Sequence, residues 1–324
     1  MSIAATRETP HVPPHAPELG RIRKILGPLY FTGVFWFRIH RFGVRLLPYW
    51  LMLPLMVPFV AFFSTVLRNI RAAVASNLEA VLGPCGWLER QARIFKTIWV
   101  FAWCLTERYE RLATDRRFLI GAEGLDHWRE LNASGEGFIL VTAHIGAWEV
   151  GSMLPSFQEA RQVHVVREAE TDPRAQKFIA ELIRSRAGDL YTTHFAEDPQ
   201  LGVDLLDALR RGEIVALQGD RPRNGGRSAD IALFGRPFPV PIGPVALARA
   251  AGVPILPVFV FREGRKRYRC SLRAPIRVGG TGGHGSRQAE IDLALQRFAA
   301  ELEWAISHRP YQWFCFRKLW GVRE

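Results

Sequence analysis

The chain has 324 residues, of which 48% are apolar, and a formal net charge of +12. Its length and balanced hydropathy indicate a folded protein of one large or two small domains and exclude an intrinsically disordered chain. The four cysteines lie far apart in the sequence, which excludes a disulfide framework and a cysteine zinc site and is typical of a reducing compartment: Cys85, Cys104, Cys270 and Cys315.

The positive charge is concentrated near the N-terminus. Residues 1–120 carry 16 Lys and Arg against 7 Asp and Glu, whereas the rest of the chain carries 27 against 24. This basic part contains the most apolar segment, residues 46–67, which has 22 residues and no charge. Its length and basic flanks predict a membrane anchor beside anionic lipid, although three prolines favour a tilted, broken, re-entrant or interfacial one. The alternative is a buried core helix. No zinc finger, RNA-recognition signature or basic helix is present, so nucleic acid is not an expected partner.

The remaining elements divide the chain into three parts. Residues 1–19 are rich in proline and predict a disordered leader that lacks the apolar core of a secretory signal. Residues 20–117 are expected to form the membrane anchor and membrane-proximal helices, with helical periodicity at 69–82 and 87–113. In residues 118–324, β-rich runs alternate with helical stretches, which predicts an α/β domain with a mixed, partly parallel central sheet flanked by helices. The expected strands are 137–143, 162–167, 213–218 and 254–261, and the expected helices are 145–157, 173–187, 199–211, 243–251 and 287–308.

A histidine stands directly after the first of these strands, and an acid follows five positions later. His144 and Glu149 can meet only if the histidine lies in the loop before a helix and the glutamate lies on its first turns. A histidine held by a carboxylate can remove a proton from a hydroxyl near neutral pH. By spacing alone, a packed histidine with a solvated glutamate nearby is the better explanation of the pair, and only the context of the pair favours a site.

Other charged residues follow neighbouring strands. Arg167 ends one predicted strand, and Asp220 and Arg221 follow another. Ligands of open α/β sheets bind at the carboxyl ends of the strands, so these residues are candidates for the same site as His144. Each also fits a surface or turn position. The segment 233–244 is interpreted as a connecting loop or the wall of an apolar pocket, and 309–314 as a packed aromatic cluster.

Several kinds of catalytic motif are missing from the sequence. There is no Gly-x-Ser-x-Gly elbow, no phosphate-binding loop and no metal-ligand spacing, so no cofactor or metal is expected. If the chain is an enzyme, His144 is expected to activate a hydroxyl of the substrate directly, without a serine or cysteine nucleophile of the protein.

The motifs, taken in order, resemble a known family. Ala143-His144-x-Gly146-x-Trp148-Glu149 resembles the His-x4-acid motif of the lysophospholipid acyltransferase superfamily, and above all of its lipid A biosynthesis (lauroyl/myristoyl) branch, which includes phosphatidylinositol mannoside acyltransferases. The supporting segments are Asn69–Leu78, Gly121–Leu125, Arg167, Phe234–Pro237 with Gly243-Pro244, and Pro310-x-Gln312-Trp313.

This resemblance implies a monomeric enzyme on the cytoplasmic face of a bacterial inner membrane. Such an enzyme transfers a fatty acyl chain from acyl carrier protein or coenzyme A, as co-substrate, to a hydroxyl of a membrane lipid. The resemblance implies that His144 is the general base and that Glu149 is the acid that holds its imidazole in position. It also implies that Arg167, together with backbone N–H groups at the helix start, stabilises the oxyanion. The resemblance further assigns substrate binding to a set of four residues: Asp220, Arg221, Gly146 and Trp148.

One departure leaves the acceptor open. Lipid A enzymes commonly carry a second acid two residues after the position of Asp220, where this chain has Pro222. The acceptor is therefore a lipid A precursor, a glycosylated phospholipid or another lipid. Two other functions remain as alternatives, namely a thioesterase or lipid hydrolase that uses the same residues, and a membrane lipid-binding protein without turnover.

Overall fold

The structure is a computed structural model that describes residues 42–114, 116–148, 161–168, 176–177, 180–181, 190–222, 226–279 and 287–320. Helices α1 (Tyr49–Val66), α2 (Arg68–Leu82) and α3 (Trp87–Ala113) precede the sheet in the part of the chain that the structure describes. The predicted leader 1–19 lies outside the described residues, and the proposed division at 117/118 stays a prediction.

A seven-stranded sheet forms the centre of the fold, in the order β1-β9-β8-β2-β5-β3-β4. Five of its six neighbouring pairs are parallel, and only β8 and β9 run antiparallel. The predicted mixed, partly parallel sheet flanked by helices is therefore confirmed. Its strands are β1 (Leu119–Glu123), β2 (Phe138–Thr142), β3 (Val163–Arg167), β4 (Tyr191–Phe195), β5 (Ile214–Gln218), β8 (Ile255–Gly264) and β9 (Arg267–Leu272).

Helices cover the sheet and bury its apolar residues. In the described part of the chain, the helices with defined bounds that follow α3 are α4 (Leu125–Ser134), α5 (Leu201–Arg210), α6 (Gly243–Ala251) and α7 (Arg287–His308), and a 3₁₀ turn follows at Pro310–Gln312. The largest buried cluster joins one face of the sheet to α5, α6 and α7. A second cluster covers the other face with residues of α3 and α4 and with Phe314, which follows the 3₁₀ turn. In the loop after β2, Ala143 and Ile145 belong to the first cluster and Ala147 belongs to the second.

A separate hairpin occupies most of the segment 233–244, for which the sequence left open a connecting loop or the wall of an apolar pocket. Residues Ser228–Leu233 (β6) and Arg236–Pro241 (β7) form a two-stranded antiparallel ribbon, so the loop alternative is wrong for the strand part of the segment. The turn between them places Phe234 and Gly235 at positive φ. Strand β7 carries prolines at alternate positions and pairs on one side only, so their missing N–H groups cost no ladder hydrogen bond.

Helix α1 distinguishes the two alternatives for the apolar segment 46–67, a membrane anchor and a buried core helix. It is the one helix in the described part of the chain that is long and apolar enough to cross a membrane, and it contains Pro54 and Pro58. Only Val60 and Ser64 of its 18 residues are buried. The alternative of a buried core helix is therefore wrong.

Candidate active site

The residues after β2 and β5 meet at the carboxyl end of the sheet. These strands are parallel neighbours, and Thr142 pairs with Gln218. His144 and Asp220, each two positions farther along, therefore reach the same level. Nδ1 of His144 lies 2.7 Å from Oδ1 of Asp220. The carboxyl ends of β2 and β5 converge as predicted, and they bring together two residues that are 76 positions apart in the sequence.

The Asp220 carboxylate is fully buried. Burial by itself raises the pKa of this group, but the charge and hydrogen bond of His144, with the charge of Arg221, lower it to about 2. An ionised carboxylate can only accept, so the proton between the two groups belongs to Nδ1. In this tautomer, Nε2 of His144 carries a lone pair and can receive a proton.

Two further side chains contact this pair. Nε of Arg221 lies 3.2 Å from Nδ1 of His144. Because a protonated Nδ1 cannot accept a hydrogen bond, this approach brings positive charge beside the ring without a true hydrogen bond. Nε1 of Trp313 approaches Oδ2 of Asp220 at 3.4 Å, and its ring is almost completely buried. The carboxylate is thus enclosed between the imidazole and the indole.

The loop that follows His144 is fixed by the C-terminal segment and by β8. Phe314 donates its N–H to the carbonyl of His144, and Gly146 donates to the carbonyl of Gln312, both at 2.8 Å. Ala147 donates to the carbonyl of Val260, also at 2.8 Å. The sequence had assigned 309–314 to an aromatic cluster without placing it beside the histidine.

Gly146 is required by this close packing. Its φ is +57°, and a Cβ at this position would lie 2.2 Å from the carbonyl oxygen of Val260. Its N–H already bonds to Gln312, and those of Ile145 and Ala147 are also bonded within the protein. These three backbone groups precede the helix that begins at Trp148 and are already used within the protein, so the expected oxyanion contacts from the helix start, whose next residues lie outside the described part of the chain, stay a prediction.

The other predicted site residues have different positions. Trp148 packs edge to face on the ring of His144, with centroids 5.4 Å apart. Arg167 is the last residue of β3, which is the parallel neighbour of β5. It therefore lies at the same carboxyl end of the sheet as Asp220. Glu149 lies outside the described residues. Of the described residues, no group of three or more His, Cys, Asp or Glu side chains is arranged to hold a metal ion.

Three comparisons relate this chain to known proteins. Residues 21–321 match the profile of the bacterial lipid A biosynthesis acyltransferase family. The chain is 28% identical over 202 residues to the phosphatidylinositol mannoside acyltransferases of two Mycobacterium tuberculosis strains, CDC 1551 / Oshkosh and ATCC 25618 / H37Rv. This match covers 61% of this chain and 61% of the length of those curated relatives.

A solved structure is also similar over much of the chain. The 1-acyl-sn-glycerophosphate acyltransferase PlsC from Thermotoga maritima aligns with 77% of this chain and 95% of its own, with 15% identity and a TM-score of 0.35. This likeness is too low to support an argument about function. The family profile, by contrast, spans nearly all of the sequence that carries the fold and the site. The chain belongs to the bacterial lipid A biosynthesis acyltransferase family.

Proposed function

We propose that this protein is a membrane-associated O-acyltransferase. It moves a fatty acyl chain from an acyl thioester of acyl carrier protein or coenzyme A to a hydroxyl of a lipid A-type or other glycolipid or phospholipid acceptor. Membership of the acyltransferase family supports the reaction class. The single observation that carries the mechanism is the 2.7 Å contact between His144 and the buried carboxylate of Asp220.

The reaction follows from the tautomer that Asp220 selects. Nε2 of His144 takes the proton of the acceptor hydroxyl while the hydroxyl oxygen attacks the thioester carbonyl carbon. The tetrahedral oxyanion then collapses, the C–S bond breaks, and the leaving thiolate receives the proton from Nε2. Asp220 holds Nδ1–H throughout and stabilises the transient imidazolium, as the acid of a triad does.

The remaining roles rest on position at the sheet edge. We assign oxyanion stabilisation to Arg167, because the nearby backbone N–H groups of residues 145–147 are already bonded. Arg221 and Trp148, which both approach the imidazole, are assigned to placing the acceptor. Asp220, which the resemblance had assigned to acceptor binding, takes the orienting role instead, because its carboxylate is buried. The predicted role of Glu149, to hold the imidazole of His144 in position, stays a hypothesis.

Acyl transfer in mixed micelles tests the proposal. A long-chain acyl thioester is supplied in its coenzyme A or carrier-protein form, with a lipid A precursor or a phosphatidylinositol mannoside as acceptor. We expect thiol release that depends on one acceptor, and a product heavier by one acyl chain in mass spectrometry. His144→Ala should abolish transfer, whereas the matched variant His127→Ala, on α4, should retain it.

The same assay separates the alternatives. Release of free fatty acid at an equal rate with and without acceptor would identify a hydrolase. Lipid binding without consumption of thioester, under any donor and acceptor combination, would identify a non-catalytic protein. Full transfer by His144→Ala would contradict the mechanism. Mass spectrometry of membrane lipids from a deletion strain and its complemented parent would then identify the natural acceptor.

A further inference from the structure

The residues that follow the 3₁₀ turn contact both of the loops that carry His144 and Asp220. We name residues 313–319 the C-terminal strap. On one side, Phe314 donates its N–H to the carbonyl of His144 at 2.8 Å. On the other side, Nε1 of Trp313 approaches Oδ2 of Asp220 at 3.4 Å. The strap therefore joins two loops that follow different strands, and it does so with two residues that are adjacent in the sequence.

A third contact of the strap reaches the far end of the loop after β5. Nη2 of Arg317 donates to the carbonyl of Pro222 at 2.9 Å. Pro222 stands two positions after Asp220, so this bond holds the segment that carries the buried carboxylate. The side chain of Arg317 is long and exposed. It can hold its partner only as firmly as its own backbone is held, because a free backbone would add to the conformational entropy that the bond must overcome.

One side chain of helix α2 fixes the backbone of the strap. Nδ2 of Asn77 donates to the carbonyl of Cys315 at 3.0 Å and to the carbonyl of Arg317 at 2.9 Å. Oδ1 of Asn77 accepts the N–H of Leu319 at 3.2 Å. Only 2% of the surface of Asn77 is exposed, so water cannot readily replace these three hydrogen bonds.

The partners of Asn77 require a carboxamide. Two carbonyl groups need donors and one N–H needs an acceptor, and a carboxamide supplies both from one planar group. A carboxylate of the same shape has no proton for the two carbonyl oxygens, and a hydroxyl has only one. Asparagine is also a poor residue for the interior of a helix. The strap therefore explains this residue type better than helix α2 does.

We propose that Asn77 is a positioning residue for the reaction. It holds the strap, and through the strap it fixes the loops of His144 and Asp220 relative to each other. The 2.7 Å contact between those two side chains selects the tautomer that acts as the base, and a displacement of either loop would lengthen it. This inference rests on the proposed acyl transfer and adds to it a residue that acts through the strap.

Steady-state kinetics with matched variants of α2 test the proposal. Asn77→Ala should lower kcat about 10- to 100-fold with little change in KM, because the substrate-binding side chains remain while the catalytic pair loses its fixed geometry. Asn69→Ala, the same substitution at an exposed position of the same helix, should behave like the wild type. Val74→Ala removes buried apolar contacts of α2 and so measures the effect of destabilisation alone. An equal decrease of kcat in Asn77→Ala and Val74→Ala would overturn the proposal.

A double-mutant cycle tests whether Asn77 acts through the strap. Trp313→Phe keeps an aromatic ring and removes the N–H that approaches Asp220. If the strap transmits the effect, Asn77→Ala should lower kcat by a smaller factor in the Trp313→Phe background than in the wild type. The same factor in both backgrounds would contradict transmission through this contact.

Hydrogen exchange gives a measurement that does not need turnover. In Asn77→Ala, peptides that contain residues 144–147 and 313–319 should exchange faster, because the N–H of Phe314 bonds to the loop that carries His144. Asn69→Ala and Val74→Ala should leave the exchange of both peptides unchanged. If Asn77→Ala does not fold, Asn77→Ser, which keeps one donor, should show the same change to a smaller degree. Unchanged exchange at residues 144–147 would overturn the proposal.

The proposed reaction and this inference can fail separately. If the wild type transfers no acyl chain but Asn77→Ala still accelerates exchange at residues 144–147, only the reaction fails. If the wild type transfers acyl chains and folded Asn77→Ala transfers them at the same rate, only the positioning role fails.

Discussion

The side chain of Gln312 forms two hydrogen bonds to the backbone of Arg262 in β8. Its Oε1 accepts the N–H of Arg262 at 2.8 Å, and its Nε2 donates to the carbonyl of Arg262 at 2.7 Å. The carbonyl of Gln312 accepts the N–H of Gly146. Gln312 therefore joins strand β8 to the loop that carries His144, and it belongs to the site without facing the substrate.

Gln312→Ala should weaken both the fold and catalysis. The substitution leaves two backbone groups of Arg262 without partners, so we expect the free energy of unfolding to decrease by about 2–4 kcal/mol. We also expect kcat to fall while KM changes little, because the loop after β2 loses a support. Urea denaturation and steady-state kinetics measure the two effects. Gln296→Ala, at an exposed position on α7, is the control, and equal small effects in both variants would contradict this role.

Asp220→Asn should lower kcat about 10³-fold or more. The amide can donate to Nδ1, which would move the imidazole proton to Nε2 and remove the base. The variant should stay folded by circular dichroism, and ¹⁵N NMR of labelled histidine should show the changed tautomer. Asp126→Asn, an exposed position on α4, should behave like the wild type. Full activity of Asp220→Asn together with loss of activity in Glu149→Gln would return the orienting role to Glu149.

The stabilising effect of Asp220 should disappear in acid. Its pKa in the folded protein is about 2, below the ordinary value of 3.8, so its contribution is complete well above pH 3.8 and decreases as the pH falls through 3.8 toward 2. The difference of 1.8 (3.8 minus 2) corresponds to about 2 kcal/mol. Unfolding free energies of wild type and Asp220→Asn, measured by urea denaturation between pH 7 and 3, should therefore converge as the pH decreases. A constant or widening difference would contradict the buried ionised carboxylate.

Only one cysteine should react in the native protein. Burial raises the pKa of the Cys270 thiol to about 12 and that of Cys315 to about 11, and it raises the pKa of Cys104 further. Cys85 is only partly buried. N-ethylmaleimide should add one equivalent in buffer and four in urea, with peptide mass spectrometry locating the first on Cys85. Cys85→Ser should add none under native conditions, and rapid labelling of any other cysteine would show that the core opens.

The sequence correctly predicted helices and strands whose apolar pattern lies within the element itself. Helix α3 was expected at 87–113 and occupies those residues, because its apolar side chains recur on one face. Strand β7 was missed because Pro237, Pro239 and Pro241 indicate a loop when their partner strand is unknown. In the hairpin, their alternate spacing suits a strand with one open edge.

The sequence predicted which residues lie at the carboxyl ends of the strands, but not which of them are in contact. His144, Asp220 and Arg221 were expected at one edge of the sheet, and the structure places them there. The contact between His144 and Asp220 could not be predicted, because it depends on the register of two strands that are far apart in sequence. Trp313 and Gln312 were missed as site residues for the same reason, since their partners are set by packing across the whole fold.

The hydrogen bonds between residues 312–314 and residues 144–146 also set an order of events during synthesis. Helix α1 emerges from the ribosome early, whereas the loop that carries the histidine stays without its supports until Gln312 and Phe314 have emerged. The loop can therefore reach its supported conformation only when the chain is nearly complete. A nascent or truncated protein that ends before residue 312 would fold its early helices and still lack a fixed position for His144.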